Sequence, residues 1–414
     1  MRLATVFKRL LRLARERVVA VELIEQAGRQ LLVVVVALPK RRRAVCSGCG
    51  ERAAASYDRR VVTWRHLDVF RVPCILRCEI RRVCCPACGI RGEQVPWARA
   101  GSRFTRAFED TCVWLARSAP KSRVAELLRV DWASVGRMIE RVVAEHTRTR
   151  EGDGLDGLRR IGIDEVAYRK GHRYLMCVVD HDSGRLVWAA PGRSQPTAQQ
   201  FFDQLGPERC KRITAVSTDL HGGWLQAIRT NCPTAAVCAD PFHVIKLAGD
   251  ALDELRRANW QQLRETDPDR AKWLKGTRFT LRRRSDRLKE GDQTILDQLA
   301  ETNHDVYLGW LLLDQLRCVY LARDRAEALR LLDEWIFAAC VSELEPFVRT
   351  AITFDTHRHA IANAIALGIT NARLEGMNST VRLLSHRARG FRRLESLLAM
   401  ITLVCGRIPV QLPT

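Results

Sequence analysis

The spacing of apolar positions changes several times along the chain, and each change predicts a new kind of element. LLVVVVALP at 31–39 is a continuous apolar run. It has the length of a strand and falls far short of the roughly 20 residues that span a bilayer, so it predicts a buried strand. VVTWRHLDVFRVPCILRCEIRRV at 61–83 alternates instead, and predicts paired strands. In PKSRVAELLRVDWASVGRMIERVV at 120–143 the period lengthens to that of a helix. Val124, Leu127 and Leu128 form one stripe, the pattern breaks at Val130 and Asp131, and Val135, Ile139 and Val142 form a second. Two short helices joined this way, the second bearing Arg137 and Arg141, fit a helix-turn-helix able to enter a major groove, although any helical hairpin carries the same pattern.

After the polar linker TRTREGDGLDGLRR, the segments IGIDEVA, YLMCVVD and RLVWAA predict three strands in an antiparallel meander. Helix PTAQQFFDQL, strand ITAVSTD, helix GGWLQAIRT, strand AAVCAD and helix PFHVIKLAGDALDELRRANW follow. Three antiparallel strands and then alternating helix and strand make a mixed sheet of the RNase H-like kind, in which the first and fourth strands can lie side by side. Beyond it, DVYLGWLLLDQLRCVYLA and RAEALRLLDEWIFAACVSELE are helical throughout. The expected fold class is α/β in the α+β multidomain sense. N-terminal strands and a cysteine-rich ribbon occupy 1–100, a helix-turn-helix region 101–150, the first part of a catalytic core 151–260, a helical region 261–360 and C-terminal core helices 361–414.

Charge sharpens this division. The net charge is +21, and residues 1–150 hold 31 Lys and Arg against 14 Asp and Glu, so the excess lies in the N-terminal third. Such a surface favours double-stranded DNA, because neutralising phosphates releases counterions. A membrane role is not expected, since no apolar run is long enough to span one. MRLATVFKRLLRLARER mixes Arg and Lys into its apolar residues and lacks the uninterrupted centre of a secretory signal, so a cytoplasmic protein is expected. Fifteen cysteines scattered over such a chain imply no disulfide framework. Cys46-Ser-Gly-Cys49-Gly and Cys85-Pro-Ala-Cys88-Gly form two CxxC knuckles, the pattern of a closed four-thiolate structural Zn2+ site, with Cys74, Cys78 and Cys84 to spare. Reduced cysteines in metal-free turns would share that spacing.

Three acids stand where apolar elements meet turns: Asp164 in IGIDEVAY, Asp219 in ITAVSTDLHG and Glu375 in NARLEGMNST. Two strand-borne Asp and one helix-borne Glu can hold a pair of hard divalent cations, Mg2+ or Mn2+, through oxygen. Each has a competitor. Glu165 neighbours Asp164, and only one of the two can face the site. Asp240 competes with Asp219, and Glu343 and Glu345 compete with Glu375, which could instead be a charge favoured by the start of its helix. Asp240 and His243 in ADPFH are candidates for supporting the acids, or for satisfying the start of their own helix. Lys121, Arg123, Arg137, Arg141, Lys246, Arg382, Arg387 and Arg389 are candidate DNA contacts. The basic stretch 272–289 adds Trp273 and Phe279, which could stack on an unpaired base or sit on a solvated face.

The order of cysteine ribbon, helix-turn-helix, GIDE, STD, ADPFHV and a late N-x-x-x-EGxNSxV helix ending in RARGFR resembles the ISL-three family of bacterial insertion-sequence transposases over essentially the whole chain. The resemblance implies a DDE site on an RNase H-like fold, carried over as Asp164, Asp219 and Glu375. It also implies a helical insertion in the roughly 155 residues between the last two. Two Mg2+ ions there would serve cleavage at the element ends and then attack of the freed 3′-hydroxyl on target DNA, with the ribbon and helix-turn-helix recognising terminal inverted repeats and a homo-oligomer assembling on DNA. A nuclease of the same fold that hydrolyses without strand transfer, and a DNA-binding regulator descended from a transposase, remain as alternatives. No phosphate-binding Walker loop is present to suggest ATP hydrolysis.

Overall fold

The apolar run at 31–37 and the alternating segment after it close into one sheet in the computed structural model, which describes residues 2–39, 41–53, 55–149, 152–169, 171–219, 222–370, 372–410 and 412. The chain divides into two units, the first comprising residues 1–150 and 387–414 and the second residues 151–386.

In the first unit, helix α1 (Leu3–Leu10) precedes a hairpin of β1 (Arg17–Gln26) and β2 (Arg29–Ala37). β3 (Ala55–Val69) and β4 (Val72–Cys85) form a second, longer hairpin, and the short β5 (Gly89–Gly92) pairs with β4. β2 joins β4 in parallel, from Leu32 opposite Cys74 to Val35 opposite Arg77, giving the order β1-β2-β4-β3. Val34, Val36, Trp64, Cys74, Leu76, Cys78 and Ile80 fill its core.

The helix-turn-helix segment forms α3 (Lys121–Leu128) and α4 (Trp132–Thr149), preceded by α2 (Arg106–Ser118), a helix absent from the sequence expectation. The break falls where the pattern breaks. Arg129 ends α3 in the left-handed region at φ 55°, and the Asp131 carboxylate accepts from Ala133 N at 2.9 Å and Ser134 N at 3.2 Å to start α4. Residues 387–414, expected from sequence to belong with 361–386 as C-terminal core helices, cluster with this unit. The apolar helix that contains Leu397, Met400 and Ile401 packs against α4 and α2, with Ser396 Oγ donating to Glu140 at 2.6 Å.

The second unit holds a five-stranded sheet of β6 (Arg160–Arg169), β7 (Arg173–Asp180), β8 (Leu186–Pro191), β9 (Ala215–Thr218) and β10 (Ala236–Ala239). Its order is β10-β9-β6-β7-β8, with β6, β9 and β10 mutually parallel and β7 and β8 antiparallel. The first and fourth strands do lie side by side, and Gly162 registers against Ser217. Strand alternation gives the sheet two different faces. Ile161, Ile163 and Val216 face α5 (Gln195–Leu205) and α7 (Gly222–Asn231), separated in sequence by the short α6 (Pro207–Cys210), and bury Phe201, Phe202, Trp224 and Ile228.

The other face carries Gly162, Ser217 and Cys238. Seven helices follow β10 among the described residues: α8 (Pro241–Thr266), α9 (Pro268–Gly276), α10 (Asp292–Thr302), α11 (His304–Val319), α12 (Arg325–Val341), α13 (Glu345–Thr356) and α14 (Arg358–Ala366). They share a core around Trp310, Trp335, Phe347 and Phe354. α14 returns to β10, where Asn363 Nδ2 donates to Val237 O at 3.1 Å. α15 (Ala372–Arg387) then crosses β6, and α16 (Leu394–Cys405) is the helix that packs in the first unit.

α15 approaches β6 closely because residue 162 has no side chain. A Cβ there would stand 2.8 Å from His181 Nε2 and 2.9 Å from Ser217 Oγ, and closer still to Leu374 Cδ1 of α15. All three neighbours are buried. Gly162→Ala is therefore expected to destabilise the protein by about 1–3 kcal/mol, the usual range for overpacking a filled core. Denaturant unfolding measures this, and an unchanged midpoint would mean that α15 does not rest on β6 in this way.

Candidate functional site

Two of the three sequence-identified acids stand abreast. Gly162 and Ser217 are partners across the parallel ladder, and two residues further along each chain brings Asp164 and Asp219 to the same face at the end of β9. Both are buried, at 8% and 6% exposure. Asp164 Oδ1 accepts from Glu165 N at 2.8 Å and Oδ2 from Asn378 Nδ2 of α15 at 2.7 Å. Glu165 turns the other way, with its carboxylate 3.6 Å from the Arg193 guanidinium. Burial raises the Asp164 carboxyl to about 6, with the nearby Asp219 charge adding to the rise and the hydrogen bonds and His243 opposing it. No Lys or Arg pairs with Asp164 among the described residues, so two buried acids share a face that favours a cation.

Asp240 ends the next parallel strand on this face and has both oxygens engaged. Oδ1 accepts from Phe242 N at 3.2 Å, capping α8, and Oδ2 lies 2.6 Å from His243 Nδ1. That hydrogen bond raises the His243 pKa; burial lowers it, and the charges of Asp240, Asp164 and Asp219 reinforce the rise. His243 therefore both satisfies its helix start and faces the acids. Lys246, one turn on, pairs with Asp250 at 2.6 Å and is half-exposed.

Glu375 lies in the first turn of α15 and is exposed. It is three residues before Asn378, about 60° away around the helix axis, so it borders the edge that meets Asp164. Arg382, two turns beyond Glu375, is exposed on the same side. Asn371, which opens the motif containing Glu375, and Leu220 and His221 after Asp219 lie outside the described residues. Glu343 stands at the end of α12 and Glu345 begins α13, paired with Arg349 at 3.2 Å. Gly162, Arg373 and Asn378 escaped the sequence reading. Arg373 donates to the main-chain oxygens of His181 and, at 3.1 Å, Asp182, tying the start of α15 to the end of β7. A lone glycine inside a strand and an asparagine inside a helix were the available signals, since each is unfavourable there without a packing role.

The metal-ligand geometry is clearest in the first unit. Among the described residues, Cys46, Cys49, Cys85 and Cys88 are the one group of three or more His, Cys, Asp or Glu whose ligand atoms all lie within 4.8 Å of one another; the three acids are not gathered so tightly. Cys49 Sγ and Cys85 Sγ are 3.5 Å apart, near the roughly 3.8 Å between thiolates on tetrahedral zinc. Gly50 and Gly89 follow the knuckles at φ 81° and 69°, and Gly48 N points at Cys46 Sγ from 3.4 Å. Burial would raise the Cys46 thiol, but the N–H groups of Cys49 and Gly48 outweigh it and lower the pKa to about 7. The donors fit Zn2+. Cys74 and Cys78 lie in the sheet core, where burial pushes their thiols up to about 11 and 12, while Cys84 is exposed.

Some predicted DNA contacts are committed within the unit. Arg141 pairs at 2.6 Å with the fully buried Glu109, and Arg387 donates to the main-chain oxygens of Ala116 and Arg117 at 3.0 and 3.1 Å, capping α2. Lys121 lies over Trp132 and Phe391, 5.7 and 5.1 Å from the ring centroids. Arg123 pairs with Glu126 at 2.8 Å yet stays exposed, as do Arg137 and Arg389.

Comparison with known families identifies the class. Residues 161–401 match a family model described as a transposase, residues 93–143 the helix-turn-helix domain of transposase family ISL3, and residues 42–88 the zinc-finger of the transposases of IS204, IS1001, IS1096 and IS1165. The molecule is a transposase with its own DNA-binding helix-turn-helix and zinc ribbon. The chain belongs to the ISL3 family of insertion-sequence transposases, of the DDE type. It is 40% identical over 399 residues to the transposase for insertion sequence element IS1557 of Mycobacterium tuberculosis strains CDC 1551 / Oshkosh and ATCC 25618 / H37Rv, covering 90% of this chain and 89% of theirs. It is 29% identical over 374 residues to the transposase for IS1001 of Bordetella parapertussis, covering 90% of this chain and 91% of that one. Among the described residues no helix is long and apolar enough to cross a membrane.

Two outcomes follow from the two sites. Cys85→Ser, or a strong chelator, is expected to release bound zinc and lower the melting temperature; zinc content and circular dichroism on one sample check it, and full stability in the zinc-free chain would contradict a structural metal. The Asp164 pKa is about 6 when folded against an ordinary 3.8. The folded state thus holds an extra proton between pH 4 and 6, and stability falls as pH rises through that window. Asp164→Asn in the cation-free chain is expected to stabilise by about 2–3 kcal/mol at pH 8 and by almost nothing near pH 4. Urea unfolding at both pH values tests the sign.

Proposed function

We propose that Asp164, Asp219 and Glu375 form the DDE site of an RNase H-like core, interrupted by a helical insertion, that cuts DNA at the ends of an insertion sequence and joins the freed 3′-hydroxyl to target DNA. The observation that carries this is the pair of buried carboxylates, Asp164 and Asp219, abreast on one sheet face beneath the helix that bears Glu375. The strand order β10-β9-β6-β7-β8 agrees with an RNase H-like sheet, and α8 through α14 occupy the interval in which the insertion is expected.

Asp164 and Asp219 supply oxygen donors from the rigid sheet, and Glu375 a third from the rim. Divalent cations bound there, Mg2+ or Mn2+, would lower the pKa of an attacking water or hydroxyl and stabilise charge on the leaving oxygen. Asp240 and His243 keep a hydrogen-bonded imidazole facing the acids. Arg382 extends the exposed side of α15 toward a DNA backbone, and Lys246 stands near the His243 end of α8. The ribbon, held by Cys46, Cys49, Cys85 and Cys88, and the α3–α4 pair with Arg123 and Arg137 would bind the terminal inverted repeats. Action on two ends favours a homo-oligomer on DNA.

A single assay separates this reading from its nearest competitor. Purified chain, Mg2+ and terminal-repeat DNA are expected to yield cleaved ends and joined product, and Asp164→Asn and Glu375→Gln to lose at least 100-fold of both, in line with the several kcal/mol that metal ligands contribute to such displacements. Cleavage without joined product would make the chain a nuclease. Full activity in Glu375→Gln would remove Glu375 from the site.

A further inference from the structure

Asn378 reaches the centre of the acid site without having been counted among its residues. Its side chain is 5% exposed and lies one helical turn beyond Glu375, on the edge of α15 that faces β6. Nδ2 donates to Asp164 Oδ2 at 2.7 Å, and this bond together with Glu165 N on Oδ1 fixes the plane of the carboxylate. The other half of the amide is the informative part: Oδ1 is buried and has no hydrogen-bond partner among the described residues. A buried carbonyl oxygen left unpaired costs free energy, and a satisfied apolar residue at this position would avoid that cost. The position has been built to keep an acceptor free beside Asp164. Oδ1 and Nδ2 belong to one amide, so that acceptor lies within about 5 Å of the carboxylate oxygen to which Nδ2 is bonded, by standard bond lengths.

We propose that Asn378 is a positioning residue of the cation site, orienting Asp164 through Nδ2 and using Oδ1 to accept a hydrogen bond from a water bound to the divalent cation held by Asp164. This inference rests on the reading of Asp164 and Asp219 as cation ligands. Magnesium and manganese retain several waters when held by one or two carboxylates, and such waters are strong donors that need oxygen acceptors. An amide meets both requirements. A carboxylate at 378 would add a third negative charge beside two buried acids, and an aliphatic residue would supply neither bond.

The test uses the zinc-loaded full-length chain without DNA and reads Mn2+ binding by titration calorimetry or by the loss of the free-ion electron paramagnetic resonance signal. Asn378→Ala is expected to weaken Mn2+ binding by about 10-fold to 100-fold, the range seen when an outer partner of a metal ligand is removed. With terminal-repeat DNA, the Mn2+ concentration for half-maximal cleavage should rise in proportion, with the rate at saturating Mn2+ reduced far less. A purely structural role would lower the melting temperature and leave Mn2+ affinity unchanged, and that outcome overturns the inference. If the Ala variant does not fold, Asn378→Asp, of the same shape, replaces it. Its melting temperature at pH 8 should rise more on addition of Mn2+ than the wild type's, and an equal rise overturns the inference. Asp164→Asn serves as the reference. If it abolishes Mn2+ binding while Asn378→Ala does not weaken it, only the role of Asn378 fails; if it binds Mn2+ as the wild type does, the cation site itself fails and this inference with it.

Discussion

The acid site depends on α15 lying directly on β6, and that contact is possible because position 162 is glycine. Leu374 occupies the space a Cβ would take, and four residues later Asn378 meets Asp164, two residues along the strand. The two steps agree in length: four helical residues rise about 6 Å and two strand residues about 6.6 Å. α15 accordingly touches β6 at two successive points, Leu374 at Gly162 and Asn378 at Asp164. Arg373 ties the near end to the main chain of His181 and Asp182. The approach of α15 to the acid-bearing face of β6 thus depends on a single missing side chain, although 210 residues separate Gly162 from the start of α15 at Ala372.

Similar acids on neighbouring strands are put to different uses. Asp164 lies within β6, while Asp219 and Asp240 directly follow β9 and β10, all three on one face of parallel strands. Asp240 is taken up by Phe242 N and His243, so both of its oxygens are engaged locally. Among the described residues Asp164 receives only neutral donors, the Glu165 N–H and the Asn378 amide, and burial lifts its pKa to about 6. Hydrogen bonds to neutral donors orient a carboxylate without cancelling its charge, which leaves that charge for a cation. The same distinction separates Asp164 from Glu165, whose carboxylate faces Arg193 on the opposite side of the strand.

Much of this architecture was legible as periodicity. The strands at IGIDEVA, YLMCVVD, RLVWAA, ITAVSTD and AAVCAD, and the side-by-side placement of the first and fourth, follow from alternation and from the order of elements. The four ribbon cysteines were legible because tetrahedral thiolate coordination fixes spacing in the chain itself. The role of Asn378 was hidden, since contact across 214 residues leaves no local trace beyond an awkward residue in a helix. α2, absent from the sequence expectation, carries its own helical stripe in Phe108, Cys112, Val113 and Ala116 and was equally legible. The placement of residues 387–414 could not be read from periodicity, which shows that α16 has an apolar face and says nothing of which surface receives it.

The basic third of the chain shows why charge alone does not locate a DNA contact. Glu109 is fully buried in α2, and its carboxylate takes Arg99 at 3.1 Å, Arg141 at 2.6 Å and Ser102 Oγ at 2.8 Å. Arg99 further binds Asp110 and Glu145, each at 2.7 Å. An ion network this enclosed costs desolvation, and removing one partner strands the others, so these arginines are held by the fold whatever the protein binds. Arg387 serves the end of α2, and Lys121 is enclosed by Trp132 and Phe391, where burial lowers its pKa. Arg137 differs. It stands exposed in the first half of α4, held among the described residues only by Ser134 Oγ at 2.9 Å and a distant Asp131 at 3.9 Å, so little has to be broken for its guanidinium to turn toward a phosphate or a base edge. In a helix-turn-helix the N-terminal residues of the second helix are the ones that reach the groove. Exposure, weak local partners and that position together single out Arg137 among basic residues that the sequence alone presents as equals.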